Sequence, residues 1–302
     1  RLANDLGKLG FDVTILSDRK WTNLSPRINV LSLADYNQDS ILLVDIDGTL
    51  VLDLNDATPR GWLRFVKKIA QKYQDTFLLE IFGYGDADMI NYIDEDGVRV
   101  EPRASLRLPV GSTISQTVDA YGVDYVIPFS SLHKYQRADS VWANQYLTDL
   151  EDYKVGFDSK DAELLSAFVR YDCAKKSLTE INPKKTPGTI VDPKEFRDDW
   201  SETLEVKDVE KVGRYFKAIT HLEQVMDFVN VKVGGEDNIV QLKEGKFENG
   251  VVFEVPKHSL MRAIRYEIFD DLLIGNFMRT HLVGKWPKSM LYPDFSPYVA
   301  KY

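Results

Sequence analysis

A chain of 302 residues, 44% apolar and 28% charged, can bury one large core or two modest ones and has the make-up of a folded protein, not a disordered one. Its net charge of −9 argues against a nucleic-acid or membrane-surface partner. The lone Cys173 excludes an intrachain disulfide framework and a thiolate metal cluster. No apolar run reaches the roughly 18 residues of a membrane span and no signal peptide is seen, so a reducing, cytoplasmic setting is expected.

In chain order, residues 2–9 have a helical pattern that Gly10 closes, and residues 11–16 read as a strand. Residues 27–33, 41–46 and 49–54 are three further strands. Thr58 is an N-cap for the next helix and Pro59 opens it, with Trp62, Phe65, Val66, Ile69, Ala70 and Tyr73 on one face. Residues 76–83, "TFLLEIFG", form a buried strand. A Gly/Asp-rich loop leads to a helix at 111–122 and a strand at 124–130. Residues 136–205 are polar and read as mostly helical, closing in a Pro-rich loop. Beyond them lie a long amphipathic helix at 209–229, strands at 230–235, 238–244 and 250–256, and a helical stretch at 258–282. No internal repeat is present.

Residues 45–49, Asp-Ile-Asp-Gly-Thr, spell the signature of the haloacid-dehalogenase phosphatases, in which the two aspartates act on phosphorus and hold Mg²⁺. That fold needs several strand-helix units between this motif and its metal-binding acidic loop. Here one helix and one strand separate Asp47 from the acidic "GYGDADM" loop, and Lys67, Lys68 and Lys72 lie on the helix's polar face. Two matched apolar runs joined by Asp47-Gly48 instead predict a hairpin, whose two turn residues need positive φ. Asp45 and Asp47 as phosphatase catalysts remain the alternative.

The apolar hairpin, "LNDA" at 54–57, the helix, the strand "FLLEIFGYGDADM" and then "GVDYVIPFSSLHKYQRADSVWANQY" together resemble the C-terminal half of the metallo-β-lactamase fold. The branch they resemble is related to CMP-N-acetylneuraminate hydroxylase. The resemblance covers residues 1–155 and implies an αββα sandwich, with residues 156–302 a helical connection and an accessory α/β segment. It implies that Asp56 is a metal-bridging and catalytic aspartate and that His133 is the metal-ligating, catalytic histidine. The related enzymes place that histidine a few residues later, where this chain has Gln136 and Arg137. The HxHxDH motif of the fold is not in this chain, whose histidines are His133, His221, His258 and His281. The expectation is therefore an N-terminally incomplete fold, with two zinc or iron ions in the complete protein and metal held weakly or not at all by these residues alone.

Asp86 and Asp88, on a loop bent by Gly83 and Gly85, are candidates to line a substrate cleft. Arg137 could grip a carboxylate or phosphate through its bidentate fork, or form a structural pair with an aspartate. Asn144 closes the family-like stretch as a further substrate-binding candidate. Asp270, Asp271 and Asn276 lie among packing residues, and His221 and His258 read as structural. The resemblance implies a metal-bound hydroxide that attacks an ester, lactone or phosphodiester of a small-molecule substrate. An iron-dependent hydroxylase and a metal-free binding or scaffold protein are the alternatives, and homo-oligomerisation is left open.

Overall fold

The computed structural model describes the chain apart from residues 1, 35–38, 56, 58–60, 86, 130–131, 182, 185, 292–294, 296–298 and 300–302; of residues 2, 87 and 288 it describes only the backbone. The elements begin with α1 (Leu2–Lys8), β1 (Thr22–Ser25), β2 (Ile28–Ala34), β3 (Ser40–Ile46), β4 (Thr49–Asn55), α2 (Leu63–Ala70) and β5 (Asp75–Ile81). There follow β6 (Tyr92–Ile93), α3 (Val110–Tyr121), β7 (Tyr125–Phe129), β8 (Glu163–Leu164), β9 (Val169–Asp172) and β10 (Ser177–Glu180). The last third holds α4 (Val206–Ala218), α5 (Leu222–Val225), β11 (Phe228–Val233), β12 (Glu236–Gln241), β13 (Gly250–Glu254), α6 (Lys257–Tyr266), α7 (Asp270–Ile274), β14 (Arg279–Val283) and α8 (Lys288–Leu291). The protein is mixed α/β, with strands of both orientations in its larger sheets.

By contact the chain divides into two compact units that interleave in sequence, rather than at a single cut after residue 155. Unit 1 comprises residues 1–83, 109–132 and 148–185, and unit 2 the remainder.

Unit 1 is built on a seven-stranded sheet, ordered β1-β2-β3-β4-β5-β7-β8. The first four strands form an antiparallel meander, and β4, β5, β7 and β8 run parallel. Alternation puts Leu31, Leu33, Ile41, Leu43, Leu50, Leu52, Leu54, Leu78 and Val126 on one face, where all are buried. The other face is only half covered at Val44, Val51, Leu79 and Ile127. α2 and α3 pack on each other and bury Val66, Ile69, Ile114 and Val118.

The hairpin between β3 and β4 is as the Asp-Gly pair predicts. Ile46 pairs with Thr49, and Asp47 and Gly48 adopt φ of 51° and 83°, the signature of a two-residue turn that follows the sheet's twist. Both motif aspartates serve this turn: Asp45 Oδ1 accepts from the Gly48 amide at 3.0 Å, and Asp47 pairs with the Arg27 guanidinium of the neighbouring turn.

Unit 2 contains a five-stranded sheet, β12-β11-β13-β14-β6. Its core gathers Tyr92, Phe216, Phe253, Phe269 and Phe295 beneath α4 and α6.

Four expectations are corrected. Residues 11–16 form no strand: Phe11 and Ile15 are largely exposed, and among the described residues no strand pairs with them. Among the described residues, 136–205 contain single 3₁₀ turns and short strands but no α-helix. The helix expected at 209–229 ends at Ala218, and after the short α5 the chain becomes the interior strand β11. The stretch 258–282 breaks at Glu267, which sits in the left-handed region, and finishes as β14.

Candidate functional site

Of the residues that the sequence singles out, Asp56 and Asp86 lie outside the described residues. Asp45 and Asp47 serve the unit 1 hairpin, and Asp88, His133, Arg137 and Asn144 fall in unit 2, where their side chains are engaged locally. His133 packs edge-to-face on Tyr135 at 5.0 Å, and its ring lies so close to Gly85 that a Cβ there would come within 2.9 Å of Cε1. Asp88 Oδ1 accepts from the Gly85 amide at 3.2 Å. Asn144 clamps the backbone of Tyr135, accepting from its N–H and donating to its carbonyl, both at 2.8 Å. Arg137 has its fork on Asp139, at 2.7 and 3.1 Å, and a further N–H on the fully buried Asp198. Its guanidinium also lies 3.9 Å from the ring centre of Phe277. The structural Arg–Asp pair is therefore the arrangement present.

A different group of side chains stands out in unit 1, at the carboxyl ends of the parallel strands. In open α/β sheets this edge is where ligands bind. β4 ends there in an irregularity between Asp53 and Asn55, with Asn55 at φ 44°. Such left-handed backbone outside glycine is uncommon and concentrates at functional sites. On the next strand Glu80 pairs in register with Asn55 on one side and Pro128 on the other.

Glu80 shares the covered face with Leu78. It is half-buried, its Oε2 has no exposed surface, and its carboxyl has no hydrogen-bond partner among the described residues. Burial alone pushes its pKa up to about 7, because the charged form loses hydration without gaining a partner. Tyr121 of α3 lies near enough to feel that charge. Burial and the Glu80 carboxylate both raise its hydroxyl's pKa, and the hydroxyl likewise has no partner among the described residues.

Asp53 projects from the opposite face of β4. Burial raises its pKa, offset in part by a hydrogen bond from the Asn55 backbone, while its Oδ1 is buried and has no partner among the described residues. Buried carboxylate oxygens ordinarily have partners, so Glu80 Oε2 and Asp53 Oδ1, which have none among the described residues, mark this edge.

The surroundings hold this edge in place. The buried Tyr153 hydroxyl donates to the carbonyl of Phe82, directly after β5. Gly83, at φ 106°, lies against Thr148, whose Oγ1 would be 2.6 Å from a Cβ. At the other end of the strands Thr76 and Asp124 staple β5 to β7, with Thr76 N–H and hydroxyl donating to Asp124 at 2.9 and 2.6 Å.

The sequence signal for Glu80 is a single acid in the otherwise apolar run "TFLLEIFG". Reading that run as a buried strand passes over the cost of its one carboxylate.

Among the described residues no group of three or more His, Cys, Asp or Glu side chains is placed to hold a metal ion. Asp53 and Glu80, the two carboxylates of this sheet edge, face opposite sides of the sheet. The described residues thus do not by themselves fit a metal centre, which needs four to six donors.

Comparison of the chain with protein-family models, curated proteins and solved structures finds no match. Fold and site together define a mixed α/β protein with a partly desolvated carboxylate at the carboxyl edge of a parallel sheet.

Proposed function

We propose that the protein is a hydrolase of small-molecule esters, lactones or phosphodiesters, working at the carboxyl edge of the unit 1 sheet with Glu80 as the general acid/base. The observation that carries this reading is a carboxyl group at that edge, half-buried and without a hydrogen-bond partner among the described residues. A carboxyl that exchanges its proton near neutrality is matched to activating water or protonating a leaving group, a contribution of about 10²–10⁴ in rate. Such carboxyls concentrate at catalytic sites.

The metallo-β-lactamase resemblance supports the same reaction class. In its favour are the meander that continues into parallel strands, and the half-covered apolar second face of the sheet, as expected of a sheet facing another layer. A metal ion would add a water nucleophile activated at neutral pH. That contribution is carried by the resemblance and by Asp56, not by the described residues, and no step here depends on it.

The test is a panel of p-nitrophenyl acetate, an aromatic lactone and bis(p-nitrophenyl) phosphate, with and without added zinc or ferrous iron, on the wild-type protein and on Glu80→Gln. At least one should be turned over, with a loss of about 100-fold or more in the variant. Equal turnover by both proteins removes Glu80 from the mechanism.

A further inference from the structure

Within unit 2, α4 packs against α6, and a groove of about 1300 Å³ opens along them. Helical spacing turns Lys211 and Arg214 of α4 into it, and Lys257, Met261 and Arg265 of α6. Seven lysine and arginine side chains line the groove against four carboxylates, an excess of positive charge in a chain whose net charge is −9.

The cations are not equivalent. Lys211 and Lys257 both reach the buried Asp208, at 3.4 and 4.0 Å, and Lys257 also approaches Glu205 at 3.8 Å. Arg265 lies 5.5 Å from the ring centre of Tyr266. Arg197, Arg214 and Arg262 form no ion pair among the described residues, and all three are exposed. Apolar surface lies beside them, with Phe196 and Tyr266 about half exposed.

Three unengaged guanidinium groups with aromatic neighbours define a ligand chemistry. A guanidinium presents paired N–H donors that match phosphate oxygens, and it holds its charge at every working pH. A phosphate monoester carries close to two negative charges, in keeping with the groove's excess; a single carboxylate carries one. A small ligand senses the local charge within a Debye length of about 8 Å, whereas a long polyanion also meets the repulsion of the acidic chain. The volume exceeds the roughly 300–1,000 Å³ of ordinary ligand sites, leaving room for an organic moiety beside the phosphate.

We propose that this groove binds an organic phosphate monoester, with Arg197, Arg214 and Arg262 on the phosphate and Phe196, Met261 and Tyr266 against the organic part. The site is lined by unit 2 residues alone and does not rest on the hydrolase reading.

Isothermal titration calorimetry with phenyl phosphate tests it, with inorganic phosphate, benzoate and phenol as comparisons. The expected result is one saturable site per chain, tighter for phenyl phosphate than for any comparison and weakened by added salt. The double variant Arg214→Gln/Arg262→Gln should weaken phenyl phosphate at least about tenfold, equivalent to 1.4 kcal/mol. Lys217→Gln, exposed on α4 outside the groove, should leave binding unchanged, and circular dichroism should show all variants folded. The proposal is overturned by no saturable binding up to about 10 mM, by affinity equal in the folded double variant and wild type, or by binding only of an acidic protein or RNA.

Discussion

Arg137 donates to the carboxylate of Asp198, whose side chain has no exposed surface, and the same carboxylate accepts from the amide and hydroxyl of Ser259 at 2.9 and 2.6 Å. This node ties the chain around Arg137 to the first turn of α6, with Asp139 completing the arginine's fork and accepting from Trp200 at 2.9 Å. Removing one member of a buried pair leaves the other charge desolvated and uncompensated. Asp198→Ala should cost about 3 kcal/mol in urea unfolding, near the lower end for such pairs because Asp139 still engages Arg137. A loss below about 1 kcal/mol would show that the node is replaceable by water.

Asp47→Asn should leave both fold and activity in place. Asparagine accepts the left-handed turn conformation that Asp47 holds, and the lost ion pair to Arg27 is largely exposed. A melting temperature within about 2 °C of wild type and unchanged turnover are expected. Abolished turnover in a folded variant would restore the phosphatase reading of the Asp-Ile-Asp-Gly-Thr motif.

That hairpin was legible because its determinant is local: two residues with positive φ between matched apolar strands. The strands β5 and β7 and the helix α3 were legible for similar reasons, from apolar runs and a local helical pattern. Residues 11–16 show the opposite case, a strand-like stretch that finds no partner strand among the described residues. Beyond Ala218, strand pairing overrode a helical pattern, and β11 became an interior strand between β12 and β13. The site was less legible still. Arg137 has the composition of a ligand-binding residue, yet Asp198, 61 positions away, occupies it. Glu80 carries no motif at all; only its position in the sheet shows that its carboxyl is withdrawn from water.

The stability of the protein should fall as pH rises across Glu80's titration. The group's ordinary value is 4.5 and burial raises it to about 7, so between these values the folded state holds a proton that the unfolded state has released. By linkage the slope of unfolding free energy against pH is then negative in that window and levels off above it. The loss should be on the order of 2 kcal/mol, allowing for the group's partial contact with solvent. Urea titrations at pH 5, 6, 7 and 8 on wild type and Glu80→Gln isolate it. The variant should lack this component and be the more stable of the two at pH 8; parallel curves would mean that Glu80 titrates as an ordinary carboxyl.

The most direct measurement is the pH dependence of kcat/KM for whichever substrate of the hydrolase panel is turned over, comparing wild type with Glu80→Gln. The account predicts a limb with an apparent pKa near 7 in the wild-type profile, and its disappearance from the residual activity of the variant. A limb near 7 that persists unchanged in folded Glu80→Gln would contradict it.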